Sequence, residues 1–139
     1  MKNFITFFLT IFIASNLLAQ ATGSTHNAVT ASNITTLNLE LDTEDVVVKE
    51  TKGTRIIIES HITLETISNV TLLQFLIKSG RYDLEKNVNE TTQTLNISRK
   101  KTNNVLLVKG QDCKELVKYV ILIPSSVKFV NTNPSTVSR

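Results

Sequence analysis

Residues 37–65 constrain the fold of this chain more than any other stretch, because they contain three apolar runs separated by two short polar turns. In residues 37–42 every second residue is a leucine, and in residues 55–65 isoleucine and leucine share one face with Ser60. A period of two residues is typical of a strand with one buried face. The core residues that this pattern predicts are Leu37, Leu39, Leu41, Ile56, Ile58, Ile62 and Leu64.

Between these two runs lies Val46-Val47-Val48, which is apolar on both faces. Such a run is typical of a strand inside a sheet or at the boundary between two layers. An acidic turn, Thr43-Glu44-Asp45, precedes it, and a turn at Lys52-Gly53 follows it, where glycine can adopt a positive φ. The stretch therefore predicts a succession of strand, polar turn and strand.

Residues 69–78 depart from the strand pattern. Their apolar side chains recur at helical spacing, Ser68 or Asn69 can act as the N-cap, and Gly80 is placed to end a helix. A strand over residues 71–77 is the alternative, since so short a run is ambiguous by period alone. We expect one short helix that packs on the sheet or over one end of it.

The remaining apolar runs return to strand patterns. Residues 116–123 form the most apolar stretch after the N-terminus and predict a central strand that Pro124 ends, because proline cannot donate to the ladder. Further strands are expected at residues 81–86, 92–98, 105–108 and 127–130. With about eight strands and one short helix, the predicted fold class is all-β, either an antiparallel-rich β-sandwich or a short β-solenoid.

The N-terminus has the layout of an export signal. Lys2 precedes an apolar run over residues 4–18, and Ala19-Gln20-Ala21 offers the small residues of a cleavage site. An uncleaved membrane anchor is the competing interpretation, but the run is shorter than the roughly 20 apolar residues that a spanning helix needs. We therefore predict a signal peptide over residues 1–21, a flexible leader over 22–33, a β domain over 34–130 and a disordered tail over 131–139.

Composition limits the partners and the covalent chemistry. The formal net charge of +3 is too weak and too scattered to indicate a nucleic-acid partner. Cys113 is the single cysteine, so the chain has no internal disulfide, and a lipoprotein would need its cysteine at the cleavage site. A small, partly buried residue is the simplest interpretation of Cys113. Pairing between chains and a reactive thiol are the alternatives.

Two groups of residues could carry enzyme chemistry. Glu59, His61 and Glu65 could bind a divalent metal, although such a site usually needs three or four convergent ligands, and a solvated strand face is simpler. Cys113 could act as a nucleophile with His61 as its base only if the fold joined them, and no third, orienting residue is apparent.

Two charged runs are most simply interpreted as solvated turns. Asp42, Glu44 and Asp45 lack the glycine and the terminal bidentate acid of a calcium loop. The run Arg99-Lys100-Lys101 lacks interleaved aromatic residues that could stack on bases. Both are expected to be solvated turns. The sequence thus predicts no catalytic residue, no metal ligand and no cofactor.

Four segments together resemble the N-terminal part of an adhesin family of exported bacterial proteins, in particular its secreted members from Bacteroidetes-type bacteria. They are LNLELDTEDVVVKETKGTRIIIES, LLQFLIKSGRY, RKKTNNVLLVKGQDC and YVILIPSSVKFV. The resemblance implies an all-β fold, often with solenoid-like stacked strands, and it transfers no enzymatic residue. Members of that family usually continue with further strands, whereas this chain stops soon after Val130, so we expect a short or C-terminally truncated member.

These inferences predict an exported, non-enzymatic β domain that acts in surface or envelope interactions, located in the periplasm, at the cell surface or outside the cell. Its partner would be an unknown protein or surface, with no nucleic acid and no transmembrane segment after signal cleavage. The alternative is a small periplasmic carrier whose β-layers enclose an apolar ligand. A hydrolase or metalloenzyme using His61 or Cys113 is a third, weaker hypothesis.

Overall fold

The computed structural model describes residues 20–41, 43, 45–100 and 104–132. These residues form ten strands and one helix, which confirms the prediction of a largely all-β fold. The elements in chain order are β1 (Ala21–Thr30), β2 (Thr36–Glu40), β3 (Val46–Thr51), β4 (Arg55–Leu64), α1 (Val70–Lys78), β5 (Leu84–Asn89), β6 (Thr94–Arg99), β7 (Leu107–Val108), β8 (Gln111–Asp112), β9 (Glu115–Pro124) and β10 (Lys128–Asn131).

Eight of the strands form two four-stranded sheets, which we name sheet A and sheet B. In sheet A the order is β1-β4-β9-β3, with β4 antiparallel to both of its neighbours and β3 parallel to β9. In sheet B the order is β10-β2-β6-β5, with the first three strands parallel and β5 antiparallel to β6. Strands β7 and β8 form a small antiparallel pair. Four of these seven pairings are antiparallel and three are parallel, so the described sheets are mixed with a majority of antiparallel pairings.

One cluster of buried side chains draws on both sheets. All seven core residues that the alternating pattern predicts are no more than 1% exposed, so that prediction is confirmed. Burial of each such leucine or isoleucine contributes about 1.5–3 kcal/mol. Because six of these residues lie in β2 and β4 and Leu41 directly follows β2, the alternation in residues 37–65 supplies much of the core.

Helix α1 lies where the sequence predicts it. The Asn69 side chain accepts a hydrogen bond from the Leu72 N–H at 3.0 Å, and Gly80 follows the helix with a φ of +79°. The helix approaches β1 closely at Gly23, where an added Cβ would lie 3.0 Å from the Ile77 side chain and 3.1 Å from that of Leu73. Glycine at this position therefore allows the helix to pack on the strand.

The prediction of a flexible leader over residues 22–33 is wrong, because residues 21–30 form β1. All ten residues of β1 pair with β4. Ala21 is fully buried, and its N–H donates to the Ile67 carbonyl at 2.7 Å. The segment is polar and small, but ladder hydrogen bonds use the backbone, so an edge strand needs few apolar side chains.

Other boundaries also differ from the predictions. Strand β3 lies at the edge of sheet A and not inside a sheet, whereas β9 pairs on both sides as predicted. Within residues 105–108 only Leu107–Val108 is a strand. Strand β5, which was predicted to begin at residue 81, begins at Leu84.

Both predicted terminal segments fall partly outside the described residues. The predicted disordered tail begins too early, because Asn131 belongs to β10 and the Thr132 N–H donates to the Leu39 carbonyl at 3.2 Å. Residues 133–139 of that tail and residues 1–19 of the predicted signal peptide lie outside the described part of the chain. In the part that is described, no helix has the length and apolar character needed to cross a membrane.

Candidate functional site

The predicted group of Glu59, His61 and Glu65 comes together only in part, because Glu59 lies near His61 and Glu65 does not join them. The Glu59 carboxylate lies between two imidazoles, 3.7 Å from Nε2 of His61 and 3.8 Å from Nε2 of His26 on β1. The Glu65 carboxylate instead lies 3.5 Å from the Lys114 ammonium group. Sequence reasoning missed His26, because it assigned that residue to the leader. No group of three His, Cys, Asp or Glu side chains within the described ranges could hold a metal ion.

Cys113 lies beneath a cleft of about 350 Å³ between the start of α1 and the β7–β8 pair. It is 4% exposed, and its Sγ donates to the Glu65 carbonyl at 3.5 Å. Burial raises the pKa of this thiol, which favours the unreactive protonated form. Glu65 lies four residues beyond His61, roughly 13 Å along an extended chain, so the fold does not place Cys113 beside that histidine.

The most strongly bonded polar cluster was not predicted from sequence. The Arg81 guanidinium donates to both Glu115 carboxylate oxygens, at 2.6 and 2.7 Å, and the Tyr82 hydroxyl donates to the same carboxylate at 2.6 Å. The side chains of Arg81 and Glu115 are each 13% exposed. The Arg99 guanidinium lies 5.7 Å from the centroid of the Tyr82 ring. The cluster ties the segment after α1 to the first residue of β9.

The protonation states in this cluster follow from burial and pairing. Burial alone would raise the pKa of the Glu115 carboxyl, but the hydrogen bonds from Arg81 and Tyr82 bring its pKa below the usual value. Burial and the neighbouring carboxylate raise the pKa of the Tyr82 hydroxyl. Glu115 is therefore an ionised acceptor held by fixed donors, which suits a structural role because every strong partner is already engaged.

The two charged runs, at residues 42–45 and 99–101, lie only partly within the described residues. Asp42, Glu44 and Lys101 lie outside the described residues. Asp45 lies 3.5 Å from the Lys118 ammonium group. Arg99 is the last residue of β6, where it covers Tyr82 rather than facing solvent in a turn.

The outward face of sheet A carries a contiguous apolar patch, which we name the apolar face and define as Val47, Ile57, Val120 and Leu122. In the ladder Val47 pairs with Val120, and Ile57 pairs with Leu122. None of the four belongs to the buried core or packs against it, and Val47 is 37% exposed. The apolar face therefore points away from the core.

Charged side chains surround the apolar face. Lys49 pairs with Leu122, Glu59 pairs with Val120, and Arg55 lies two residues before Ile57 on β4. Val47 is exposed and the other three side chains are partly exposed, and apolar patches with a charged rim occur at surfaces that bind macromolecules. Sequence reasoning predicted Val46-Val47-Val48 inside a sheet or at a layer boundary and residues 116–123 as a central strand, but it did not predict an apolar patch on an outward face.

Comparisons with protein-family models, with curated proteins and with solved structures found no match for this chain. The resemblance to the exported adhesin family therefore stays a prediction from the quoted segments.

Proposed function

We propose that this chain is an exported, non-enzymatic β domain that binds a protein or surface partner in the bacterial envelope, as the resemblance to the adhesin family implies. Export rests on the N-terminal signal pattern. The described side chains that could do chemistry support a non-enzymatic role, because they are occupied in other ways. Cys113 is buried beneath its cleft, Glu115 is held by Arg81 and Tyr82, and Glu59 lies between two histidines.

The apolar face is the observation that carries this proposal. Strands that are apolar on both faces are usually covered on both faces, because exposed apolar area is unfavourable in water. Strands β3 and β9 carry apolar side chains on both faces, together with Lys49 and Lys118 on the outward face, and among the described residues only their inward side chains pack in the core. A partner that covers Val47, Ile57, Val120 and Leu122 would remove this exposed area from water.

We also propose a solenoid-like architecture of stacked coils. The chain passes from β2 in sheet B to β3 in sheet A, and later from β9 in sheet A to β10 in sheet B. The two passages lie side by side, because β3 is parallel to β9 and β2 is parallel to β10. Neighbouring parallel passages of this kind support stacked coils better than an antiparallel sandwich.

The alternative function, a carrier of an apolar ligand, has weaker support. The cleft of about 350 Å³ includes Ile67, Leu72 and Val108, but Lys109, Gln111 and Asp112 also line it. A second cleft of about 410 Å³ is lined largely by polar and charged side chains. Sites for apolar ligands are usually enclosed and lined mainly by apolar side chains.

A binding experiment tests the proposed function. The exported protein and its Val120→Lys variant are compared for binding to envelope fractions of the producing cells. Lysine in the apolar face should reduce binding at least about tenfold, since an interface cannot bury an unpaired charge cheaply. Val88→Lys is the matched control, because Val88 is 47% exposed on β5 in sheet B. Equal binding by all three proteins, or no binding by any of them, would contradict the proposal.

A further inference from the structure

The outward face of sheet B carries a cleft of about 260 Å³, which we name the polar trough. Six of its lining residues carry polar side chains on that face: Asn38, Glu40, Glu85, Asn87, Asn96 and Ser98. Lys86 and Ile97 also border it, but they pair with each other in the inward row of the ladder. We propose that the polar trough binds an uncharged saccharide. It lies on the other sheet from the apolar face, so this inference goes beyond the proposed function, and its failure would leave that proposal standing.

Three asparagines form one row of the polar trough. Asn96 on β6 pairs with Asn38 on β2 and with Asn87 on β5 in the ladder. The Thr132 hydroxyl donates to Asn38 Oδ1 at 3.2 Å, and Asn38 Nδ2 donates to Asn96 Oδ1 at 3.0 Å. These two bonds fix the orientation of the Asn96 amide, and no described residue accepts a hydrogen bond from its Nδ2. A half-buried amide with a fixed direction therefore offers a free donor to a ligand in the trough.

Two carboxylates flank a serine in the other row. Ser98 on β6 pairs with Glu40 on β2 and with Glu85 on β5. Both glutamates are exposed, and neither forms an ion pair or a side-chain hydrogen bond with another described residue. Two strand spacings place their Cα atoms roughly 10 Å apart, and a step of two residues along β6 separates the two rows by roughly 7 Å. The six side chains therefore surround an area that one hexose ring with its hydroxyl groups would fill.

The chemistry of the polar trough suits hydroxyl groups better than ions. Neighbouring hydroxyls of a sugar can donate to a carboxylate and accept from an amide at the same time, and the trough presents both kinds of partner. Glu40 and Glu85 would repel an anion. A calcium ion would need both glutamates to converge on one point above Ser98. Because no aromatic side chain lines the trough, hydrogen bonds carry the binding, and we expect a dissociation constant on the order of millimolar.

The test is a two-dimensional ¹H–¹⁵N NMR titration of the purified protein with the methyl glycosides of glucose, galactose, mannose and N-acetylglucosamine. We expect at least one glycoside to shift the side-chain amide signals of the three trough asparagines along a saturable curve. Glu40→Ala and Glu85→Ala should each raise the dissociation constant at least about tenfold, because each removes a charge-assisted hydrogen bond. Glu50→Ala, on β3 of sheet A, is the matched control and should leave the constant unchanged.

The same spectra show whether each variant is folded. A titration in which none of the four glycosides gives a saturable shift at the trough would overturn the inference, and so would a dissociation constant that neither glutamate variant changes. Glycerol at the same concentration measures the general effect of hydroxyl groups, and an equal shift with glycerol would also overturn it. Signals that respond to calcium chloride and to no glycoside would assign the trough to a cation and overturn the saccharide.

Discussion

Removing the Glu115 carboxylate should destabilise the fold much more than removing an exposed charged side chain in the described segments. In the native protein the Arg81 side chain is 13% exposed, and Glu115→Ala removes both of its bonds to the carboxylate while its bond to the Asn104 carbonyl remains. Breaking a buried ion pair from one side typically costs about 3–5 kcal/mol. Tyr82 also loses its acceptor, while the residual exposure of Arg81 lets water replace part of the loss. We expect a cost of about 3 kcal/mol.

Chemical denaturation followed by circular dichroism measures this cost. Glu115→Gln should cost about half as much, since an amide still accepts one hydrogen bond but carries no charge. Replacing both partners, in Arg81→Met with Glu115→Leu, should recover most of the loss, because apolar pairs often replace buried ion pairs without penalty. Glu85→Ala, on the exposed strand β5, is the control and should cost less than about 0.5 kcal/mol. A cost below about 1 kcal/mol for Glu115→Ala would refute the structural role of the cluster.

Three further predictions concern acidity, thiol reactivity and backbone conformation. The pKa of Glu115 is lower in the folded protein than in the unfolded chain. The stabilisation that its carboxylate provides is therefore complete above the unfolded pKa of about 4.3 and is lost as the pH falls through the folded pKa. The stability difference between wild type and Glu115→Gln should shrink between about pH 7 and pH 3. The Cys113 thiol should react with an aromatic disulfide reagent roughly 100-fold more slowly in the native protein than in denaturant, and equal rates would contradict its burial. Gly80→Ala should cost about 1–2 kcal/mol by thermal unfolding, because φ is +79° and the new Cβ would lie 2.7 Å from an Asp83 carboxylate oxygen, whereas Gly53→Ala meets only an ordinary contact at 3.6 Å and should be close to neutral.

The parts of the fold that sequence could predict are those set by local pattern. Alternation placed the inward residues of β2 and β4, including Ser60, which is fully buried. Helical spacing and Asn69 placed α1, because an N-cap and an apolar stripe are both local signals. The central position of β9 followed from residues 116–123, which are largely apolar.

The parts that sequence missed depend on distant partners. Residues 21–30 form a strand because all ten pair with β4. Their own side chains, most of which are small and polar, do not predict this pairing. The pairing of Arg81 with Glu115 joins residues that are 34 positions apart, and neither has a local signal. The apolar face shows the limit most clearly, because an apolar outward residue such as Val120 looks like a core residue until the sheet is assembled.

Protection of the apolar face in the producing cells tests the central claim most directly. Val120→Cys in a Cys113→Ser background leaves one thiol on the outward face of β9, since Cys113 is the single native cysteine. A membrane-impermeant maleimide then labels cells with a permeabilised outer membrane and, in a separate experiment, the purified protein in dilute solution. We predict slow labelling in the cells and fast labelling of the dilute protein, because a partner covers the face in its native setting. Equally fast labelling in both would show that nothing covers the face and would contradict the proposed function.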